Sequence, residues 1–237
     1  MRLILAVALS VCLTGCPVKK EEEKQAAAPA PPAVFLSPVA EATPAAESIP
    51  SSQVLGPMES IKELDRKIES YRTGSNLTQE EVEANRKLKQ EIIRGTFDLY
   101  ELCKLALDIH WNEIADKDQR YFTDLMTSLL EKKAIFSKEQ VKGEEKGYKV
   151  VYKQEKFIDA EKKKSQVSTK ILVPSKKVDL DLNYKLTLAP AGWKIFDVIV
   201  DDASLVENYK FQFDAIIRKN GYPELVKRME NKLKEMD

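Results

Sequence analysis

Residues 178–188 read Val-Asp-Leu-Asp-Leu-Asn-Tyr-Lys-Leu-Thr-Leu. Val178, Leu180, Leu182, Tyr184, Leu186 and Leu188 fall on one face, and Asp179, Asp181, Asn183, Lys185 and Thr187 on the other. Alternation with a period of two is the mark of a strand, and one dry face with one wet face belongs to an antiparallel sheet covered on a single side. Working outward, Val167, Thr169, Ile171 and Val173 predict a neighbouring strand stopped by Pro174-Ser175. Tyr148 to Phe157 predicts a third, and Trp193 to Val200, entered through Pro190-Ala191-Gly192, a fourth. Connections of a few residues favour a meander.

The dry face needs a cover, and the first half of the domain supplies helices. Ile61, Leu64, Ile68 and Tyr71 keep helical spacing until Gly74-Ser75-Asn76. Thr78 with Glu81 is a capping box ahead of Val82, Leu88, Ile92 and Ile93. Asp98 with Glu101 repeats it, with Phe97 and Leu102 as a hydrophobic staple, and this third helix runs on through Ile109. Asp116 with Gln119 starts a fourth, which carries Phe122, Leu125, Met126, Leu129 and Leu130 on one face. After the sheet, Ser204 and Glu207 cap a helix through Ile217 that Asn220-Gly221 closes, and Pro223 opens a last one. The expected class is α+β, a helical layer on a four-stranded antiparallel sheet with C-terminal helices.

Ahead of this domain the composition changes. Arg2 and the apolar run Leu3–Leu13, too short to span a bilayer, form an export signal. It ends in Leu13-Thr14-Gly15-Cys16, a bacterial lipobox pattern that makes Cys16 the expected lipidation site and residues 1–15 the signal peptide. Acyl chains at roughly 0.8 kcal/mol per buried methylene make such an anchor effectively permanent. Pro17 follows, and not the aspartate associated with inner-membrane retention, so the expected location is the periplasmic face of the outer membrane. Residues 16–56 then hold seven of the eleven prolines, with Pro57 the eighth, among Ala, Ser and charged residues, too little apolar surface to offset the entropy of ordering. They read as a tether reaching roughly 35 Å as a coil and up to about 120 Å where stiffened by proline. The folded domain spans residues 57–237.

Lys plus Arg equals Asp plus Glu at 38 each, so nothing global favours nucleic acid. One histidine and three cysteines leave little for metal or histidine chemistry, and no cofactor is expected. Cys12 leaves with the signal and Cys16 is acylated, so Cys103 is left without a disulfide partner. On one helix Cys103 and His110 would face the same side about 10 Å apart along the axis, which is no nucleophile–base contact. Cys103 reads as a small buried apolar residue, and His110 beside Trp111 as the cap of its helix. Asp197 lies in an apolar strand, where an acid is either an isomerase-type general base or a structural acceptor. The lysines Lys162-Lys163-Lys164 and Lys176-Lys177 mark hairpin ends, solvated or serving as a docking surface for anionic headgroups or an acidic partner.

The block Gly192-Trp193-Lys194-Ile195-Phe196-Asp197-Val198-Ile199-Val200, followed by Ser204 to Tyr209, Gln212-Phe213 and Ile216 to Gly221, resembles the C-terminal signature of the MlaC family, the toluene-tolerance or organic-solvent-resistance auxiliary proteins. Phe97-Asp98 through Leu105-Ala106-Leu107, then Trp111 and Asp118-Gln119-Arg120, are similar to the family's first half in order and spacing. The resemblance implies a curved sheet under helices, partly like nuclear-transport-factor domains. It also implies a periplasmic phospholipid carrier with an apolar pocket between the layers. The partners it implies are the MCE-domain protein of an ABC transporter and a complex at the outer membrane. It implies no enzyme. The family's familiar members are freely soluble, whereas this chain reads as tethered.

A carrier needs such a pocket on physical grounds, because two chains of about 16 carbons cost on the order of 25 kcal/mol to expose to water. The lining expected is Leu99, Leu102, Phe122, Met126, Leu129 and Leu130 from the helices. From the long strand it is Val178, Leu180, Leu182 and Tyr184. The competing readings are a scaffold lipoprotein with a filled core and a protein-binding surface, and after it an enzyme with an isomerase-like pocket.

Overall fold

The computed structural model describes residues 55–72, 74, 76–133, 149–173 and 178–236. The expected signal and the tether up to residue 54, Lys176-Lys177 and the Pro174-Ser175 stop lie outside the described residues, as does the side chain of Val178.

Helices α1 (Pro57–Glu69), α2 (Gln79–Thr96), α3 (Leu99–Leu107) and α4 (Asp116–Lys133) precede strands β1 (Lys149–Phe157), β2 (Lys164–Val173), β3 (Val178–Ala189), β4 (Gly192–Val200) and β5 (Ala203–Ser204). Helices α5 (Leu205–Asn220) and α6 (Tyr222–Lys234) close the chain. The strands pair antiparallel in sequence order, the meander that short connections favour. Irregular register between Tyr152 and Gln154 and between Lys185 and Leu186 puts bulges in two ladders, which bends the strands.

The fifth strand departs from the expected four. It follows a turn whose central residues, Asp201 and Asp202, both take positive φ, at 46° and 66°. Two left-handed residues in succession make the hairpin twist match that of its strands. Asp201 Oδ1 accepts from the Asp181 amide at 3.0 Å, and the Asp201 amide donates to the Asp181 carbonyl, so the turn is pinned to β3. An Asp-Asp pair lacks the glycine that usually announces such a turn.

Thr78 and Glu81 form the expected capping box, and the carboxylate of Asp98 accepts from the Glu101 amide at 3.0 Å. One helix boundary and one helix cap differ from expectation. The third helix stops at Leu107, because Asp108 turns to φ 48°, and residues Asp108–Glu113 form a 3-10 turn. At the break Asp108 pairs with Lys210 of α5 at 3.1 Å. The fourth helix is not boxed by Asp116 and Gln119. Its first amides bond to the Ala115 carbonyl, and the Gln119 side chain reaches back to the Trp111 carbonyl at 2.9 Å.

One apolar core joins the helices to the sheet. On the sheet side Val167, Ile171, Leu182, Tyr184, Leu186 and Ile195 are closed to solvent. The outer face of the sheet carries cross-strand ion pairs, Lys153–Asp181 at 2.9 Å among them, which are surface pairs of small energetic weight.

Candidate functional site

The register brings the expected lining residues onto the core face of the sheet. Leu182 pairs with Thr169 and Val200, Tyr184 with Val167 and Val198, and Leu180 with Ile171. Opposite residues of a ladder share a face, so these side chains point together towards the helices. From above come Leu102 of α3 and Phe122, Met126, Leu129 and Leu130 of α4. The Phe122 ring meets Phe213 edge-on at 5.6 Å, and Phe213 stacks on Tyr209 at 5.2 Å. Leu102, Phe122 and Leu182 have no exposed surface, and Met126, Leu129, Leu130 and Tyr184 almost none. Leu99 and Leu180 are half-buried at its margin.

The structure thus gathers these residues into one closely packed layer interface. Neither of two described surface cavities is lined by them. One, of about 540 Å³, opens among α2, α4 and the end of α6, with Val82, Asn85 and Leu233 on its walls. The other, of about 320 Å³, lies between the 3-10 turn and α5, walled by Ile109, His110 and Phe211.

The polar atoms inside the core are nearly all accounted for. Thr169 donates to the Leu182 carbonyl and Ser165 to the Lys156 carbonyl, each at 3.0 Å. Asp197 is fully buried, and its carboxylate accepts from Ser204 Oγ at 2.9 Å, the Val206 amide at 3.1 Å and Lys185 Nζ at 3.2 Å. These donors tie the start of α5 to β4, which is the structural role among the two that the sequence left open. The exceptions among the described residues are the Tyr209 hydroxyl and Gln212 Oε1, both buried with no hydrogen-bond partner. Such a group costs about 1–3 kcal/mol unless something supplies a partner. The sequence offered no signal beyond a tyrosine on the apolar side of its helix.

Cys103 is fully buried in α3, and burial pushes its thiol up to about 12, so it stays protonated and inert at neutral pH. His110 does not cap a helix. Its ring nitrogens lie 3.0 Å from Glu113 Oε2 and 2.9 Å from Asp214 Oδ1, and Asp214 in turn accepts from Arg218 at 2.7 Å. Burial opposes charge on the imidazole, but the two carboxylates outweigh it and the pKa rises above the ordinary 6.5. A raised folded-state pKa stabilises fully below the unfolded value and is lost as pH rises through the folded one. Urea midpoints are therefore expected to fall as pH is raised from about 6 towards 8.5, and His110→Gln to flatten that slope. An unchanged slope in the variant would remove His110 from the account. Among the described residues no three His, Cys, Asp or Glu side chains converge as a metal site.

The same arrangement of helices and sheet occurs in a phospholipid-binding protein from Ralstonia solanacearum solved in complex with a phospholipid. The match has a TM-score of 0.61 at 19% identity and covers 76% of this chain and 97% of that one. At that identity the likeness shows a shared fold. No curated protein sequence matches significantly. The model of the MlaC protein family matches residues 62–231, from within α1 to within α6, and the chain accordingly belongs to the MlaC family.

Proposed function

We propose that this protein is a phospholipid carrier of the bacterial envelope, taking acyl chains between its helical layer and its sheet. The observation that carries the reading is the fold shared over nearly the whole of a structure that held a phospholipid. The apolar chemistry of the layer interface supports it. Leu180 and Leu99 at its margin are the entry side of the lining, and Leu102, Phe122, Met126, Leu129, Leu130, Leu182 and Tyr184 are the residues the chains would pack against. Val178 completes that strand face in the sequence. The unpartnered hydroxyl of Tyr209 is a donor that an ester carbonyl of the cargo would satisfy. No catalytic step is assigned.

Cys16 is the proposed anchor, residues 16–56 the tether, and the periplasmic face of the outer membrane the proposed location. An MCE-domain protein of an ABC transporter and an outer-membrane complex are the proposed exchange partners. One observation favours the scaffold reading instead. Among the described residues, Leu102, Phe122 and Leu182 of the layer interface have no exposed surface, as in a protein that binds only through its outside.

The two readings part in one experiment. Protein purified without detergent from its native host is extracted into organic solvent, and both extract and protein are weighed by mass spectrometry. The carrier reading expects phospholipid near one per chain, and a protein mass that begins at an acylated Cys16. Protein repeatedly free of phospholipid would leave the scaffold standing.

A further inference from the structure

The antiparallel meander gathers the end of β1, the start of β2, the end of β3 and the start of β4 at one end of the sheet. In register, Phe157 stands opposite Ser165, Ser165 opposite Leu186, and Leu186 opposite Ile195. One step further, Leu188 pairs with Trp193. Phe157, Leu188 and Trp193 therefore continue the apolar face of the sheet, yet Phe157 is 45% exposed and Leu188 41%. Ile158, the next residue along the chain, is also 41% exposed, and the Phe157 and Trp193 rings lie 6.1 Å apart.

Lysines ring this patch. Lys162 Nζ sits 5.9 Å over the Phe157 ring, and Lys164 Nζ 5.2 Å over that of Phe196. Lys163 is exposed in the same loop, Lys156 is exposed on the wet face of β1 next to Phe157, and Lys194 bonds to the Gly95 carbonyl. The nearby acids are already engaged. Asp159 accepts from the Lys163 and Lys164 amides at 3.1 and 2.8 Å, Glu161 pairs with Lys163, and Glu101 with Lys164. Lys156 and Lys162 form no ion pair among the described residues, and Lys156, Lys162, Lys163, Lys164 and Lys194 outnumber Glu101, Glu155, Asp159 and Glu161 by one, so the rim keeps a small positive excess. The loop is also held in one shape, by the Asp159 bonds, by the Ile158 amide on the Lys164 carbonyl, and by the Leu188 amide on the Lys163 carbonyl.

We propose that this end of the sheet docks the folded domain onto an anionic lipid surface, with Phe157, Ile158 and Leu188 entering the headgroup–acyl boundary and Lys156, Lys162 and Lys163 on the phosphates. The composition decides between a membrane and a protein. Protein interfaces deplete lysine and favour arginine, whereas aromatic side chains rimmed by lysine are the makeup of interfacial membrane anchors. The docking uses the outside of the domain and goes beyond cargo binding.

The test uses the full chain carrying Cys16→Ser, so that no acyl anchor contributes, with phosphatidylglycerol or phosphatidylcholine vesicles whose acyl chains carry bromine. Trp193 lies in the patch and Trp111 is buried in the core, so quenching by bromine reports on this end of the sheet. Phosphatidylglycerol vesicles are expected to quench Trp193 in a salt-sensitive way, and phosphatidylcholine vesicles hardly at all. Reversing Lys156, Lys162 and Lys163 to Glu should weaken binding by at least about a hundredfold, since loss of the three lysine charges alone is worth roughly fivefold each and the glutamates add repulsion. Phe157→Ser with Leu188→Ser should remove the quenching and keep the melt of the parent. Both variants should retain the parent's copurifying phospholipid, so failure of docking and failure of the carrier reading are seen separately. The proposal is overturned if Trp193 stays unquenched by anionic vesicles, if the charge reversal binds like the parent, or if an acidic protein takes the lysines while vesicles do not.

Discussion

Leu182→Trp is expected to yield a folded protein nearly devoid of copurifying phospholipid. Leu182 sits mid-strand with no exposed surface, flanked by Thr169 and Val200 and facing the helices. An indole there occupies the volume into which acyl chains would have to intrude. From the sequence alone, the same change looks almost free, since Leu182 reads as the wall of an open cavity. Its closed packing changes the expectation, and overpacking should lower the stability of the delipidated protein by about 1–3 kcal/mol. A domain of ordinary stability, about 5–15 kcal/mol, survives that. The melts must be run on delipidated samples, because bound lipid raises apparent stability by mass action. Leu129→Trp probes the same layer from α4, and Leu180→Trp does so at a half-buried position where the strain is smaller. Folded variants that keep the parent's phospholipid content would locate the cargo somewhere other than between the layers.

Asp197→Ala should produce the largest loss of stability of any single change considered. The carboxylate alone satisfies the Val206 amide and the Ser204 hydroxyl and holds Lys185 across the β3–β4 ladder. Alanine leaves a buried amide without an acceptor, at about 1–3 kcal/mol for that group, and undoes a charge-assisted bond as well. Lys185 is one-third exposed and can turn to water, which limits its share. The sum is about 3 kcal/mol, a fall in Tm of roughly 6–12 °C for a domain of this size. Asp197→Asn keeps one acceptor of the same shape and should lose about half as much. A melt of Asp197→Ala within a degree or so of the parent would contradict this account of how α5 is joined to the sheet.

Both effects bear on how much could be read along the chain. The alternation from Val178 to Leu188 needs no tertiary information, because period two with one dry face admits a single kind of partner. The capping box at Thr78 and the cap at Ser204 are also local, since each side chain bonds an amide three residues away. By contrast, the break at Asp108 has no glycine or proline to announce it. Its ion-pair partner there, Lys210, lies about a hundred residues further on. His110 behaves in the same way, since its partner Asp214 belongs to α5.

For the candidate site, hydrophobic period alone assigned the side chains to one interface, because an apolar stripe on a helix and an apolar strand face have nowhere else to go. It could not say whether they enclose a space, since a filled core and a lined cavity have the same periodicity. Packing decides that, and here it closes Leu102, Phe122 and Leu182 completely. Nor could periodicity reveal that Tyr209 would be left without a hydrogen-bond partner in the core, or that Phe157, Leu188 and Trp193 would meet at one end of the sheet under a rim of lysines. Patterns of period two and 3.6 are properties of neighbours in the chain, and so the sequence determines the elements, their caps and their inward faces. Which distant groups come within a few ångströms of one another is decided by register and layer packing, which exist only once the chain has folded.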